Sequence, residues 1–249
     1  MTSALSRSTG HTEEINSRDV IYGLLKSRIL RFDLLPGEKL SENGLAESLE
    51  VSRTILRDGI SRLCEEGYVS VLSRSGTFVS LIDMDRVRQA VDAHITLEQE
   101  ILRELGERRL GAEERRSLER FLRRIDRLRD RQARGEEREE NILLYMREKD
   151  SLHRLLSEIC RREAVWDFFR TLDSDLLRVR YLLYSTFDYG MRAVEMSAWE
   201  QSEAEYRMLL DNILRKDTKA AILVLQTHYQ SVLWKADSLR AYYPRYFSD

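Results

Sequence analysis

Residues that interrupt helices are scarce: two prolines and 11 glycines in 249 positions. With abundant Arg, Glu and Leu, that scarcity argues for a mostly helical protein. Two cysteines, Cys64 and Cys160, are too few for a disulfide framework, so reduced thiols in a cytoplasmic setting are expected. The longest apolar run, Ala220 to Leu225, is far too short to span a bilayer, so no membrane partner is expected. The first fifteen residues lack an apolar stretch, and no secretory signal is visible there. A net charge of −2 argues against a broad polyanion-coating surface but leaves room for a local one. What is present is enough apolar material, 42% of residues, to build a core. The length suits one large or two small domains.

Residues 1–14 are rich in Ser and Thr without apolar periodicity and read as a disordered tail. From Asn16 the pattern changes: Val20 and Leu24, then Ile21, Leu25 and Ile29, recur at helical spacing. Leu35-Pro36-Gly37 ends that helix. A short helix starts at Ser41 or Glu42 and carries Leu45, Ala46 and Leu49. Ser52 is a good N-cap for a second, Arg53 to Glu66, whose apolar face is Leu56, Ile60 and Leu63 and whose end is marked by Gly67. Tyr68–Ser73 and Thr77–Leu81, with Gly76 at the tip between them, read as a hairpin. Beyond Ile82 strand signals vanish. Helical stretches are expected over 83–109, 112–134, 139–160, 162–186, 196–215 and 218–241, with Gly190 and a polar patch between the fourth and fifth. The expected fold is mainly α: a winged helix-turn-helix over 15–82, a six- or seven-helix bundle over 83–241, and a tail over 242–249. Between Arg103 and Glu140, 13 Arg stand against 11 Asp plus Glu, a mixture that reads as a solvated helix face.

The stretch from Leu40 to Arg57 is the sharpest functional signal. A short helix, a tight turn and a helix opening with Ser-Arg-Thr follow helix-turn-helix logic, in which the front of the second helix enters the major groove. The free N–H groups there favour phosphate. Ser52 and Thr54 can bond phosphates, while Arg53 and Arg57, four apart, share a face and can reach phosphate or a guanine edge. Arg74 and Gly76 at the wing tip supply a cation and a close approach. Residues 1–82 carry 10 Lys plus Arg against 11 Asp plus Glu, so binding must rest on where charge is placed. A homodimer gripping two half-sites would sum the contacts of two copies.

Residues 15–81 resemble the winged helix-turn-helix of the GntR family of bacterial repressors. The resemblance rests on Pro36-Gly37, Leu40-Ser41-Glu42, Leu45-Ala46, Val51-Ser52-Arg53-Thr54, Leu56-Arg57, Leu63, Glu66-Gly67 and Gly76-Thr77-Phe78-Val79. Residues 83–241 are similar to the all-helical FCD effector domain of the FadR-like branch, by Leu97-Glu98, Leu152-His153-Arg154-Leu155-Leu156, Arg178-Val179-Arg180-Tyr181 and His228. The resemblance implies DNA contacts at Ser52, Arg53, Thr54, Arg57 and Gly76, and at Asn43, where the family usually has Arg. The family's Pro after Ser-Arg-Thr is Ile55 here, and its Glu-Ala after the second Arg is Asp58-Gly59. Gly59 inside the recognition helix should cost about 1 kcal/mol of helix propensity.

Many FCD domains hold a divalent transition metal with one Asp and three His. By the resemblance, this chain keeps His153 and His228, has Lys149 where the family places Asp, and has Tyr206 at the middle His position. Asp150, one residue off, could join His153 and His228 in a weak metal site. His94, four before Glu98, could supply a ligand or a cation. Three readings stand: a metal-free pocket taking a small organic acid through His94, His153, Arg178 or Arg180, Tyr206 and His228; a remodelled metal site of Asp150, His153 and His228; or histidines that are satisfied interior polar groups. Arg178 and Arg180, two apart on a helix, cannot both face inward. The Arg-Val-Arg-Tyr helix and the aromatic tail Tyr242–Phe247 lean, by resemblance, toward a sugar acid or other carboxylate effector. The expected function is a ligand-responsive transcription regulator, a repressor that binds a palindromic operator and is released by its effector. The competing expectation is a metal-dependent enzyme using the bundle histidines.

Overall fold

The computed structural model describes residues 5–135, 137–186 and 197–248, with side chains from Arg18 onward. The chain divides into two units, Met1–Asp83 with Arg245–Asp249, and Met84–Pro244.

In the first unit, helix α1 runs Leu5–Leu30. Its buried stripe is Ile21, Tyr22, Leu25 and Ile29, while Val20 and Leu24 face solvent. The backbone is thus helical from Leu5, earlier than the apolar stripe signals. The segment expected as a disordered tail is helical over residues 5–14. Strand β1 (Lys39–Leu40) precedes helix α2 (Glu42–Ser48) and helix α3 (Arg53–Glu65). Strands β2 (Val69–Leu72) and β3 (Gly76–Val79) follow. The antiparallel sheet has the order β1-β3-β2. The hairpin is as expected, but β1 adds a third strand, because two residues are too few to show alternation in sequence. α3 lays Leu56, Ile60 and Leu63 on α1, in one core with Leu34, Leu40, Ala46, Tyr68, Val69 and Val79.

Of the expected C-terminal tail, the part from Arg245 onward belongs to this unit. Pro244–Tyr246 form a 3-10 turn, Tyr246 stacks on Phe32 at 5.3 Å, and Phe247 is buried. Phe247 pairs with Ile82 in a parallel bridge: Ile82 N donates to Tyr246 O at 2.8 Å and Ser248 N to Ile82 O at 2.9 Å. Burial of the aromatic rings and backbone pairing order what lacks any helical or strand periodicity.

The second unit contains α4 (Met84–Glu107), α5 (Ala112–Ala133), α6 (Arg138–Ile159), α7 (Glu163–Leu172), α8 (Ser174–Thr186), α9 (Ala198–Arg215) and α10 (Thr218–Tyr242). Among the described residues that makes seven helices, because the expected helix over 162–186 is two. The break falls at Asp173-Ser174, residues whose side chains compete for backbone groups and favour helix ends. The interruption expected around Gly190 lies outside the described residues. α10 packs on α4, α8 and α9, and α6 packs on α5, α7 and α8. The interior therefore collects side chains from α4, α6, α8, α9 and α10.

Candidate nucleic-acid interface and buried polar core

The start of α3 is built by its N-cap. Ser52 is extended, and its Oγ accepts the Ile55 N–H at 3.3 Å, leaving the hydroxyl proton for an external acceptor. Arg53 and Thr54 stand exposed in the first turn, and Arg57 one turn on is 68% exposed. Asn43, near the start of α2, and Arg74, on the wing, are exposed too. Gly76 sits at φ 117°, a backbone that an L side chain rarely adopts. Arg74 also adopts positive φ, at 64°, so the wing turn strains one residue besides glycine. All seven residues expected at DNA thus lie on α2, α3 and the wing of one unit.

Two residues of this surface were missed. Lys39 on β1 reaches over the Phe78 ring, 5.8 Å from its centroid, beside Gly76. Glu42 accepts Arg57 Nε at 3.0 Å and the Thr77 hydroxyl at 3.0 Å. The Arg57 hydrogen bond holds its carboxyl below the usual range. The Leu-Ser-Glu stretch was visible in sequence, but only folding reveals its partners.

The polar core of the second unit centres on Glu98, a residue whose spacing alone marks it only by its place four after His94. Glu98 Oε1 lies 2.6 Å from His94 Nδ1 and accepts the Tyr229 hydroxyl at 2.7 Å; Oε2 lies 2.6 Å from His153 Nδ1. Burial opposes its charge, but His153 and His94 outweigh that and hold the carboxyl far below the usual range. His94 Nε2 faces Asp173 Oδ1 at 2.8 Å, and the ring lies between Phe169 (3.8 Å) and Tyr229 (4.9 Å). Burial would lower its pKa, but Asp173 and Glu98 lift it to about 9, so both ring nitrogens donate at neutral pH. His153 spends Nδ1 on Glu98 and faces the Tyr206 hydroxyl with Nε2 at 2.6 Å. The i, i+4 spacing of His94 and Glu98 was legible; their union with Asp173, His153 and Tyr229 was not.

A second group lies beside it. His228 Nδ1 is 2.6 Å from Glu205 Oε2, and its buried Nε2 has no hydrogen-bond partner among the described residues. Burial, followed by the nearby cations, depresses the His228 pKa and keeps the ring neutral. Lys149 donates to Tyr184 Oη at 2.5 Å and Ser202 Oγ at 3.2 Å, and burial drives its pKa well down. A small pocket is lined by Tyr184, Ser202, Glu205, His228, Ser231 and Lys235, among others. A second, smaller one touches Tyr206 and His228.

The two candidate arginines are both buried but part company. Arg178 pairs with Asp175, one turn back on α8. Arg180 is 3% exposed, its guanidinium 5.1 Å from the Tyr229 centroid, and its Nε and Nη2 have no hydrogen-bond partner among the described residues. Asp150 is half-buried, and burial raises its pKa. Among the described residues no three His, Cys, Asp or Glu side chains are grouped to hold a metal, Asp150, His153 and His228 included. A cation, Lys149, and a phenol, Tyr206, occupy the neighbourhood, and His153 is spoken for at both nitrogens. These side chains do not fit a resident divalent metal.

The fold and the exposed start of α3 define a winged helix-turn-helix DNA-binding protein with an added helical domain. Residues 17–79 match the bacterial regulatory proteins of the gntR family, and residues 89–231 match the FCD domain. The chain belongs to the GntR family of transcription regulators carrying an FCD domain. It is similar over 98% of its length, at 29% identity, to an uncharacterized HTH-type transcriptional regulator in unstable DNA locus of Streptomyces ambofaciens, covering 93% of that protein. It is 23% identical to the HTH-type transcriptional repressor RspR of Escherichia coli (strain K12), covering 96% of each chain. In fold it is similar to E. coli McbR/YncC, with a TM-score of 0.68 at 18% identity over 90% of this chain and 98% of that one. Among the described residues no helix is long and apolar enough to cross a membrane.

Proposed function

We propose that this regulator is a cytoplasmic homodimeric repressor that grips a palindromic operator and lets go when a small organic acid enters its helical domain. Asn43, Ser52, Arg53, Thr54, Arg57, Arg74 and Gly76 would face the duplex, Arg53 and Arg57 reading base edges and the others fixing register on phosphate. The repressor name of the E. coli K12 relative supports the sign of regulation.

The observation that carries the effector reading is the buried Arg180 guanidinium, two of whose nitrogens have no hydrogen-bond partner among the described residues. A buried cation without a hydrogen-bond acceptor is costly, and a carboxylate would complete it. His228 adds direction: with Nδ1 turned to Glu205, its neutral ring offers Nε2 as an acceptor for a ligand hydroxyl. Lys149 and Tyr206 stand where the resemblance places metal ligands, so the pocket works with the chain's own side chains in place of a metal. The histidine network of Glu98 then serves as the wall that positions Tyr229 and Tyr206. An enzyme built on the bundle histidines is not favoured, because His153 has both ring nitrogens engaged and His94 is held between two carboxylates.

The test is a thermal-shift screen of hydroxy, keto and dicarboxylic acids, with and without chelator, followed by gel shifts on operator duplex. Stabilisation by an acid that survives chelation and releases DNA is expected. Stabilisation that chelation abolishes would overturn the metal-free pocket. Arg53→Ala should lose about 1–3 kcal/mol of specific binding and relax sequence preference; an unchanged gel shift would count against the interface.

A further inference from the structure

One carboxylate ties together the three elements that present the DNA-facing residues. Glu42 begins α2, accepts Arg57 Nε from the second turn of α3, and accepts the hydroxyl of Thr77, the residue after the wing-tip glycine on β3. Thr77 is itself 4% exposed, so its end of the bridge is fixed. Glu42 is only 32% exposed at the side chain, whereas Arg57 is 68% exposed. The acid therefore lies under the arginine, between it and the body of the unit.

We infer that Glu42 is a positioning residue for base reading, holding Arg57 by Nε so that its two terminal nitrogens are presented together to a base edge. The inference rests on the proposed interface and adds a residue that does not itself touch DNA. Its chemistry follows from the guanidinium fork. An arginine reads the two acceptors of guanine best when both Nη groups, or Nη with Nε, are held in one plane. A free arginine loses side-chain entropy when it adopts that pose; one already pinned at Nε has less to lose. Thr77 links the same carboxylate to the wing, so the pose of Arg57 and the height of the wing are set by one group. A purely electrostatic view predicts the opposite effect. An acid beside a DNA-binding arginine repels phosphate, and removing it should raise affinity for any duplex. The two views therefore separate cleanly: Glu42 lowers general affinity and raises discrimination.

The experiment starts from a randomised duplex pool selected with the full-length wild-type protein, which defines its preferred sequence. Glu42→Ala, Glu42→Gln, Arg57→Ala and Thr77→Val are then compared on that sequence, on versions altered at each position, and on random duplex at several salt concentrations. Arg57→Ala identifies the base pair that Arg57 reads, where a loss of roughly 5- to 100-fold in discrimination is expected. Glu42→Ala and Glu42→Gln should lose discrimination at that same base pair, by about threefold or more, while their affinity for random duplex holds or rises. Glu42→Gln keeps the volume and an acceptor, so it reports on the charge should the alanine variant melt early. Thr77→Val, which spares the Arg57 contact, should keep discrimination at that position. Retention of full discrimination by both Glu42 variants, or parallel loss on specific and random duplex, would overturn the inference while leaving the interface standing. A wild-type protein that enriches no sequence would overturn the base-reading interface itself and the inference with it.

Discussion

Replacing Arg180 with methionine should stabilise the ligand-free protein and abolish its response to organic acids. Burying a guanidinium costs several kcal/mol after relaxation. Against that stand the contact with the Tyr229 face, worth about 2 kcal/mol when desolvated, and attraction to the phenol oxygens of Tyr229, Tyr206 and Tyr184 and to Asp173. Nε and Nη2 recover nothing from hydrogen bonding among the described residues. Methionine keeps the stem's packing and removes the charge, and comparable replacements of buried charged groups gain about 1–4 kcal/mol. At about 2–4 °C per kcal/mol for a chain of this size, the melting temperature should rise by roughly 2–16 °C. Thermal unfolding of wild type and Arg180→Met, each with and without an acid that stabilises the wild type, is the assay. A ligand-free variant that melts several degrees lower would show that the guanidinium is paired and structural. A variant that keeps the wild-type ligand shift would show that the carboxylate docks elsewhere.

Gly59→Ala should stabilise the DNA-binding unit by about 0.5–1 kcal/mol, because an added Cβ meets Tyr22 backbone and Ile21 only at ordinary contact, 3.5 Å; a lower urea midpoint would refute this. Glu98→Leu strands the donors of His94, His153 and Tyr229 in a dry interior and should cost about 3–5 kcal/mol by chemical denaturation. His94 titrates near 9 folded and near 6.5 unfolded, so its contribution is complete below pH 6.5 and is lost as pH climbs to about 9. The depressed Lys149 runs the opposite way and cancels in a difference. The stability gap between wild type and His94→Gln should therefore shrink by about 3 kcal/mol across that range, and a constant gap would refute the charged ring.

How much of this was legible in the sequence depended on how local each signal is. The Ser52 cap, the Gly67 stop and the Ile21, Leu25, Ile29 stripe act within a turn or two, and α1 to α3 follow from them. Strand β1 escaped because a two-residue strand exists only through its pairing with Phe78 and Thr77. The break at Asp173 carries no glycine or proline; its side chain bonds His94, 79 residues away, and such a pairing leaves no periodic trace. The histidines themselves were found, but their roles depended on Glu98, a residue that spacing alone makes one acid among many. Arg178 and Arg180 show the same limit. Spacing two apart predicts that only one can face inward, yet both are buried, and packing decided which one found a carboxylate.

The pairing of Phe247 with Ile82 makes the DNA-binding unit discontinuous in sequence, with the whole of Met84–Pro244 inserted between two of its paired residues. Made in chain order, the DNA-binding unit therefore waits for its last piece until the helical unit has been synthesised. A fragment ending near residue 83 leaves Ile82 without its backbone partners and the Phe32 ring without Tyr246. Loop-closure entropy grows slowly with length, so the long insert adds little cost once its own fold brings its ends together. An unfolded or proteolysed helical unit forfeits that saving, so damage to Met84–Pro244 should loosen the DNA-binding unit without touching any residue on its surface.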